Sequence, residues 1–204
     1  MNWQATLDAI ETLLARAAQV SYGEQVSMLE HSVQCAMFAQ RDGASDALVA
    51  AALLHDIGSF VSSPDGAYGE YAHDRSGGAW LAQRFPPAVS EPVRLHVAAK
   101  RYLCCVQPDY AHRLSPASLH TLAHQGGPMR EHEARAFERE AYFADAVRLR
   151  RWDDEGKVAG MPVPSSSSFH ALLRRVLDEA ARPDTVAAVQ HPPPHDRGSR
   201  DELP

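Results

Sequence analysis

Cysteine is scarce in this sequence, and the three that occur are Cys35, Cys104 and Cys105. They form no spaced framework, since the last two are adjacent, and this argues against a small disulfide-stapled secreted fold. Residues 1–5 also lack the basic and apolar regions of a signal peptide. We therefore expect a protein of the reducing cytoplasm.

Long apolar runs and an excess of basic charge are missing as well. No window approaches the roughly 20 apolar residues that cross a bilayer, and the formal net charge is -6 with scattered Lys and Arg. A membrane span and a nucleic-acid surface are therefore not expected. With 204 residues, 45% hydrophobic and 23% charged, the chain suffices for one globular domain with a full core. Small-molecule chemistry becomes the favoured class.

The spacing of apolar residues predicts an all-α fold. We expect helices over 3–19, over the stretch that follows Gln25, over the apolar run 47–54, from His73 to about Phe85, over a stretch with Pro92 in its first turn, over 131–153 and over 169–181. The N-cap of the helix over 47–54 is expected at 44–46. The Pro-rich and charged end cannot bury enough apolar surface to order itself. We predict one helical bundle over 1–182 and a disordered tail over 183–204.

The adjacent pair His55–Asp56 closes the apolar run 47–54, which predicts a buried helix that Gly58 ends as a left-handed cap. An unpaired ionised Asp there is costly, and metal coordination offsets that cost. A carboxylate can also bridge two ions, which an imidazole cannot. The pair is interpreted as the hub of a metal site. The alternative is an Asp that caps a neighbouring helix and a His satisfied in the core.

Further His and acidic residues lie on or beside apolar helix faces. His31 faces inward, His73 opens a helix whose paired glycines at 77–78 permit close approach to a neighbour, and His96 faces inward on the next helix. Asp145 is an acid on the apolar stripe of the helix over 131–153. The charges around it are expected to form a solvated face or an ion-pair network; they are Arg148, Arg150, Arg151, Asp153 and Asp154.

Lys100 lies one turn after His96 on the same helix face. Lysine is rarely buried without a partner, so it either snorkels to the surface or binds an anion beside a metal. Hydroxyls at 115–121 and the open amides of the loop 125–127 suit phosphate-like oxygens. The sequence therefore offers an anion site next to the histidines.

The minimal signature of the HD-domain superfamily is a His, then His-Asp, then a distant Asp. This sequence resembles that signature with His31, His55, Asp56 and Asp145. The resemblance implies a single-domain, all-α helical bundle around the metal site. It also implies that His73 and His96 complete a second ion site with Asp56 bridging. Most members are phosphohydrolases, and a few are diiron oxygenases.

Longer stretches look like the phosphonate-degradation HD-domain oxygenases; they are 22–24, 26–27, 29–31, 53–58, 100–103, 125–128 and 145–154. That group is known for a mixed-valent Fe(II)/Fe(III) pair that cleaves the carbon–phosphorus bond of 1-hydroxy-2-aminoethylphosphonate, or its N-trimethyl analogue, with O2. The resemblance implies two iron ions as cofactor. It implies an organophosphonate and O2 as reactants, with phosphate and glycine or glycine betaine as products.

Residue roles follow from the same resemblance. It implies that Lys100, Ser118 and Thr121 hold the phosphonate. It also implies that Tyr22 and Glu24 lie on a mobile loop that guards the oxygen-binding iron.

Two positions depart from the pattern of that group. Met28 stands where Gln is common, and Ser59 follows His-Asp-Ile-Gly where members acting on the primary amine typically have a supporting His. Both changes remove polar capacity near the substrate end. They favour a quaternary ammonium, which cannot donate N–H bonds, over a primary amine.

Two other function classes stay open at this stage. A metal-dependent HD phosphohydrolase would use the same six ligands to hold Mn, Mg, Zn or Fe and a bridging hydroxide that attacks a phosphate ester. A metal-stabilised binding module would need no turnover. An oxygenase requires iron and O2, whereas a hydrolase works without O2. The sequence does not determine the oligomeric state.

Overall fold

The computed structural model describes residues 2–21, 25–61 and 72–181. Within these ranges the chain forms nine α-helices and no β-strand, which confirms the all-α prediction. The helices are α1 (Trp3–Ala17), α2 (Met28–Arg41), α3 (Asp46–Leu54), α4 (His73–Ala82), α5 (Pro87–Val106), α6 (Pro116–His124), α7 (Glu131–Phe137), α8 (Phe143–Glu155) and α9 (His170–Ala180). None of these helices is long and apolar enough to span a membrane. The predicted tail, 183–204, lies outside the described residues.

Helix α3 forms the centre of the core. Every residue from Leu48 to Leu54 is buried, because the run is apolar around its whole circumference. Ser45 caps the helix as predicted, since its Oγ accepts a hydrogen bond from Leu48 N at 3.3 Å. Helices α2, α5, α8 and α9 pack around it. The end of α3 therefore delivers the residues that follow it to the interior of the bundle.

Gly58 has a different role from the left-handed cap that the sequence predicted. Residues 57–59 continue from α3 as a 3-10 turn, and Gly58 is not among the glycines with positive φ. A Cβ atom at Gly58 would lie 2.0 Å from His73 O and 2.5 Å from Gly77 N. Gly58 is required because α4 packs directly on this turn, and Ser76 Oγ donates a hydrogen bond to Gly58 O at 3.1 Å. This close approach, which the glycines of α4 permit as predicted, brings His73 to the end of α3.

The helix predicted over 131–153 is broken, and residues 138–142 separate α7 from α8. The aromatic packing explains the break. Phe137 and Phe143 both contact Tyr102, with ring centroids 5.6 and 5.0 Å away. In one continuous helix, residues six apart are rotated by roughly 120° and leave on different faces. The break lets both rings pack on Tyr102.

Helix α5 begins at Pro87, earlier than the sequence predicted, so Pro92 lies inside it rather than in its first turn. His96 and Lys100 share its inward face, with relative exposures of 1% and 2%. Helix α5 packs against α3, α4 and α8. It therefore carries both side chains into the centre of the bundle.

Candidate functional site

Two histidines, one on α2 and one directly after α3, turn their ring nitrogens toward each other. His31 Nδ1 lies 2.7 Å from Gly156 O, and His55 Nδ1 lies 2.9 Å from Ala52 O. Because a carbonyl oxygen only accepts, each Nδ1 carries a proton, and in the neutral ring each Nε2 therefore presents a lone pair. The two Nε2 atoms are 3.1 Å apart. Two facing lone pairs repel unless a metal ion or a shared proton lies between them.

A second pair of facing Nε2 atoms lies on α4 and α5. His96 Nδ1 lies 2.6 Å from Val93 O, which again assigns the proton to Nδ1. Its Nε2 is 3.1 Å from His73 Nε2. Burial, and then the neighbouring His73, lowers the pKa of His96 to about 3. The His96 ring is therefore neutral at neutral pH, as a metal ligand must be.

Asp56 lies between the two histidine pairs. Its Oδ1 is 3.3 Å from His73 Nε2, and its Oδ2 is 3.4 Å from His55 Nε2 and 3.7 Å from His31 Nε2. Burial by itself raises the pKa of the Asp56 carboxyl, but the surrounding histidines outweigh burial and hold that pKa below its ordinary value. Asp56 is thus an ionised carboxylate with one oxygen directed at each pair.

The distant carboxylate of this cluster is Asp153, and the prediction of Asp145 is corrected. Asp145 has a side chain that is 40% exposed and lies 3.8 Å from Arg148 Nη1. Asp153 is buried, and its Oδ1 is 3.4 Å from His31 Nε2. The buried residues of α8 are Ala146, Leu149, Arg150, Trp152 and Asp153. Asp145 lies at the exposed start of that helix.

Asp153 also provides evidence that the cluster holds a cation. Its Oδ2 accepts a hydrogen bond from Arg150 Nη1 at 2.5 Å. Its Oδ1 is buried and receives no hydrogen bond of good geometry from the described residues, although the Lys157 ammonium lies 3.6 Å away as an ion-pair partner. A buried carboxylate oxygen left in this state costs about 1 to 3 kcal/mol or more. A metal ion bound also by the facing Nε2 atoms would satisfy it, and imidazole and carboxylate are donors that suit iron.

Cys35 adjoins the first pair and was not predicted as a site residue. Its Sγ is 3.8 Å from His31 Nδ1 and 3.9 Å from His31 Nε2, so the sulfur lies beside the ring rather than beyond Nε2. The thiol donates a hydrogen bond to Trp152 O at 3.3 Å. Burial raises the pKa of the Cys35 thiol, which favours the protonated form. Cys35 therefore packs against the ligand set without belonging to it.

Lys100 faces the interior beside this cluster, so the alternative of a lysine that snorkels to the surface is wrong. Its Nζ donates to Thr121 Oγ1 at 2.8 Å and lies 3.4 Å from Ser118 O. The structure thus brings together the three residues expected to hold the phosphonate. Burial, and then the nearby Arg150, lowers the pKa of Lys100 to about 8. The ammonium is in a dry environment where an anion binds it strongly.

Two more cations meet at Ser118, and the sequence reasoning missed both. Lys157 Nζ lies 3.1 Å from Ser118 Oγ and 3.6 Å from Asp153 Oδ1. Arg150 Nη2 lies 3.3 Å from Ser118 Oγ. Arg150 and Asp153 form an ion pair, which is one of the two alternatives predicted for these charges, while their relative exposures of 3% and 2% exclude the other alternative, a solvated face, for both.

A signal for these cations was present in the composition. Only two lysines occur in the whole sequence, Lys100 and Lys157, while the remaining basic side chains are arginines. Both lysines are located at this cluster. Because the chain uses arginine elsewhere, the two lysines indicate positions with a specific requirement for an ammonium group.

The structure describes only some of the remaining predicted site residues. Met28 is half-buried at the start of α2, and Ser59 is exposed at the end of the 3-10 turn after Asp56. Their roles at the substrate end stay predictions. Tyr22 and Glu24 lie outside the described residues. The loop 125–127 contacts Arg101, whose Nε donates to Gly127 O at 2.9 Å.

Comparison with known proteins gives the family. No family model matches the chain. The chain is 41% identical over 162 residues to [1-hydroxy-2-(trimethylamino)ethyl]phosphonate dioxygenase (glycine-betaine-forming) of Leisingera caerulea, a match that covers 77% of this chain and 82% of that protein. It is 39% identical over 173 residues to hydroxymethylphosphonate dioxygenase of Gimesia maris, covering 82% of this chain and 86% of that protein. This chain therefore belongs to the phosphonate dioxygenase family and is an enzyme with candidate metal ligands at its centre.

Proposed function

We propose that this enzyme uses O2 to cleave the carbon–phosphorus bond of a phosphonate that carries a hydroxyl on the same carbon, with two iron ions as cofactor. One observation supports this most strongly. Two pairs of facing Nε2 atoms share Asp56 and lie next to buried lysines that hydrogen-bond to Thr121 and Ser118. Two metal positions and one anion position are what such a reaction requires.

His31, His55 and Asp153 are proposed to hold one iron, and His73 and His96 the other, with Asp56 shared between them. Iron, when bound, would supply the redox chemistry that oxidation of the substrate carbon by O2 requires. The chain orients His31, His55 and His96 through the carbonyl groups that receive their Nδ1 protons. Such outer hydrogen bonds fix the ring that binds the metal.

The phosphonate is proposed to bind at Ser118, where Lys100, Lys157 and Arg150 converge. The charge of Arg150 is largely neutralised by its contacts with Asp153 and Asp154. Arg150 is therefore proposed to orient the phosphonate rather than to supply positive charge for its binding. The two ammonium groups are the better match for the two negative charges of a phosphonate. Because Lys100 follows His96 by one turn, an anion at its ammonium lies close to the metal ligands. This suits a substrate whose hydroxyl and phosphonate share a carbon.

Among hydroxylated phosphonates, we propose the trimethylammonium compound as the preferred substrate. The Leisingera relative is named for that compound and the Gimesia relative for hydroxymethylphosphonate. Met28 and Ser59 offer less hydrogen-bonding capacity than the Gln that is common at the first position and the His that is typical of primary-amine members at the second. A trimethylammonium head group has no N–H donors, so it loses no hydrogen bond when those Gln and His side chains are absent. The products would be phosphate and glycine betaine.

The test uses iron-loaded, partially oxidised enzyme with three compounds: the trimethylammonium substrate, its primary-amine analogue and hydroxymethylphosphonate. Phosphate and the organic product are measured in air and under argon. We expect phosphate in air only, with at least about tenfold preference for the trimethylammonium compound, which corresponds to about 1.4 kcal/mol. Equal phosphate release in air and argon would refute the oxygenase and indicate a hydrolase. Air-dependent turnover of the primary amine alone would refute the choice of substrate.

A further inference from the structure

One short segment contacts both the metal ligands and the proposed phosphonate end. This strap consists of Gly156, Lys157 and Val158, directly after α8. Gly156 O receives the Nδ1 proton of His31 at 2.7 Å. Lys157 Nζ lies 3.1 Å from Ser118 Oγ. The position of three residues therefore affects both halves of the site.

Gln34 holds this strap at two points. Its Nε2 donates to Val158 O at 2.9 Å, and its Oε1 accepts from Val158 N at 2.9 Å. Gln34 is 1% exposed, so its amide cannot exchange these bonds for water. Val158 is 46% exposed, so its side chain contributes little to fixing the strap. The Val158 carbonyl also accepts a hydrogen bond from Met161 N at 3.3 Å, so the buried Gln34 amide and the following turn together hold the backbone of Val158.

The spacing of α2 links this amide to the metal ligands. Gln34 follows His31 by three residues, so both side chains leave the same face of the helix and reach the same strap. The approach is close, because a Cβ atom at Gly156 would lie 2.5 Å from Cys35 Sγ. A shift of the strap by a fraction of an ångström alters the His31 hydrogen bond and the position of the Lys157 ammonium together.

We infer that Gln34 is a positioning residue that acts through the strap on two targets. Through Gly156 it holds the His31 ring in the tautomer that directs Nε2 at the metal. Through Lys157 it places an ammonium at the phosphonate. The second effect rests on the proposed function, whereas the first requires only that the cluster binds a metal ion.

The experiment compares Gln34→Met, which keeps the length and removes both hydrogen-bonding groups, with Gln34→Glu, which keeps only the acceptor for Val158 N. Gln40→Met is the matched control, since Gln40 is exposed on the same helix. Anaerobic Fe(II) titration gives metal affinity, and steady-state kinetics give kcat and KM for the phosphonate. Circular dichroism and Tm report folding. If Gln34→Met fails to fold, Gln34→Glu carries the test.

We expect Gln34→Met to weaken iron binding by about 10- to 100-fold, the usual effect of losing an outer partner of a ligand. KM should rise by about tenfold with a smaller change in kcat, while Gln40→Met stays within about twofold of wild type on both measures. A Gln34 variant that folds and keeps iron affinity and KM within about twofold would overturn the inference, even with a lowered Tm.

A double-mutant cycle separates this inference from the proposed function. If Gln34 acts on substrate through Lys157, the KM effects of Gln34→Met and Lys157→Met should be clearly non-additive. Additive effects would overturn that half of the inference. If wild-type enzyme shows no O2-dependent cleavage, the proposed function fails. The Fe(II) affinities of Gln34→Met and Gln40→Met then still decide the metal half.

Discussion

Replacing Lys100 by Met should abolish most of the phosphonate affinity while leaving the fold intact. Lys100 is 2% exposed, and its ammonium contacts only Thr121 and Ser118 among its described hydrogen-bond partners. A charge-assisted hydrogen bond in such a site contributes about 1.5 to 3 kcal/mol. At about 1.4 kcal/mol per factor of ten, KM should rise by about 10- to 100-fold. Methionine fills the space of the aliphatic stem, so the packing loss is small.

The assay is steady-state phosphate release from the trimethylammonium substrate in air, with iron content measured on each preparation. Arg151→Met is the matched control, because it removes one positive charge from an exposed position of α8. Its KM should stay within about twofold of wild type, since exposed charges are screened. An unchanged KM for Lys100→Met at normal iron content would refute the assignment of Lys100 to the phosphonate. Equal increases in both variants would show a general charge effect instead.

The remaining predictions concern pH, the corrected ligand and the packing of α4. The Lys100 pKa is lowered from 10.5 to about 8 in the folded enzyme, so the ammonium is present below that pH and is lost as pH rises through it; kcat/KM for the phosphonate should fall by about tenfold per unit above pH 8, and a flat profile to pH 9 would contradict this. Asp153→Asn should lower iron binding by about 10- to 100-fold and Asp145→Asn should not, measured as iron per chain; the reverse order would restore Asp145 as the ligand. Gly58→Ala should lower Tm and reduce iron content together, because its Cβ would collide with His73 O; a variant with normal values would show that α4 adjusts freely.

Much of this arrangement was predictable from periodicity. The apolar circumference of 47–54 indicated the central helix, and the inward positions of His31 and His96 followed from helical spacing. Both histidines are fully or almost fully buried at the cluster. The predicted proximity of His73 followed from the glycines of α4, whose only reasonable use was close approach.

Asp153 was missed for physical reasons that local sequence does not reveal. The run 148–154 is rich in charge, and such runs are usually solvated. Here Arg150 and Asp153 neutralise each other across one turn and are buried as a pair. The break at 138–142 contains no Pro or Gly to announce it and depends on the distant ring of Tyr102. Asp145 shares a stripe of α8 with the buried Leu149 and Trp152, so helical spacing selects it, but it lies in the first turn of the helix with its side chain 40% exposed.

Helical periodicity could not predict the roles of Lys157 and Gln34, for a different reason. Lys157 follows the end of α8 in an irregular segment, where helical spacing assigns no face. The contact of Gln34 with Val158 joins residues far apart in the chain. Neither relation leaves a local pattern, although the presence of only two lysines in the sequence indicated that Lys157 is unusual.

The most direct test of this account is the iron stoichiometry of the wild-type enzyme. Purified protein is titrated anaerobically with Fe(II) to saturation, and bound iron is measured per chain. The paired histidines and the shared Asp56 predict saturation at about two iron ions per chain. Saturation at one ion would contradict the two-metal centre on which the proposed reaction depends.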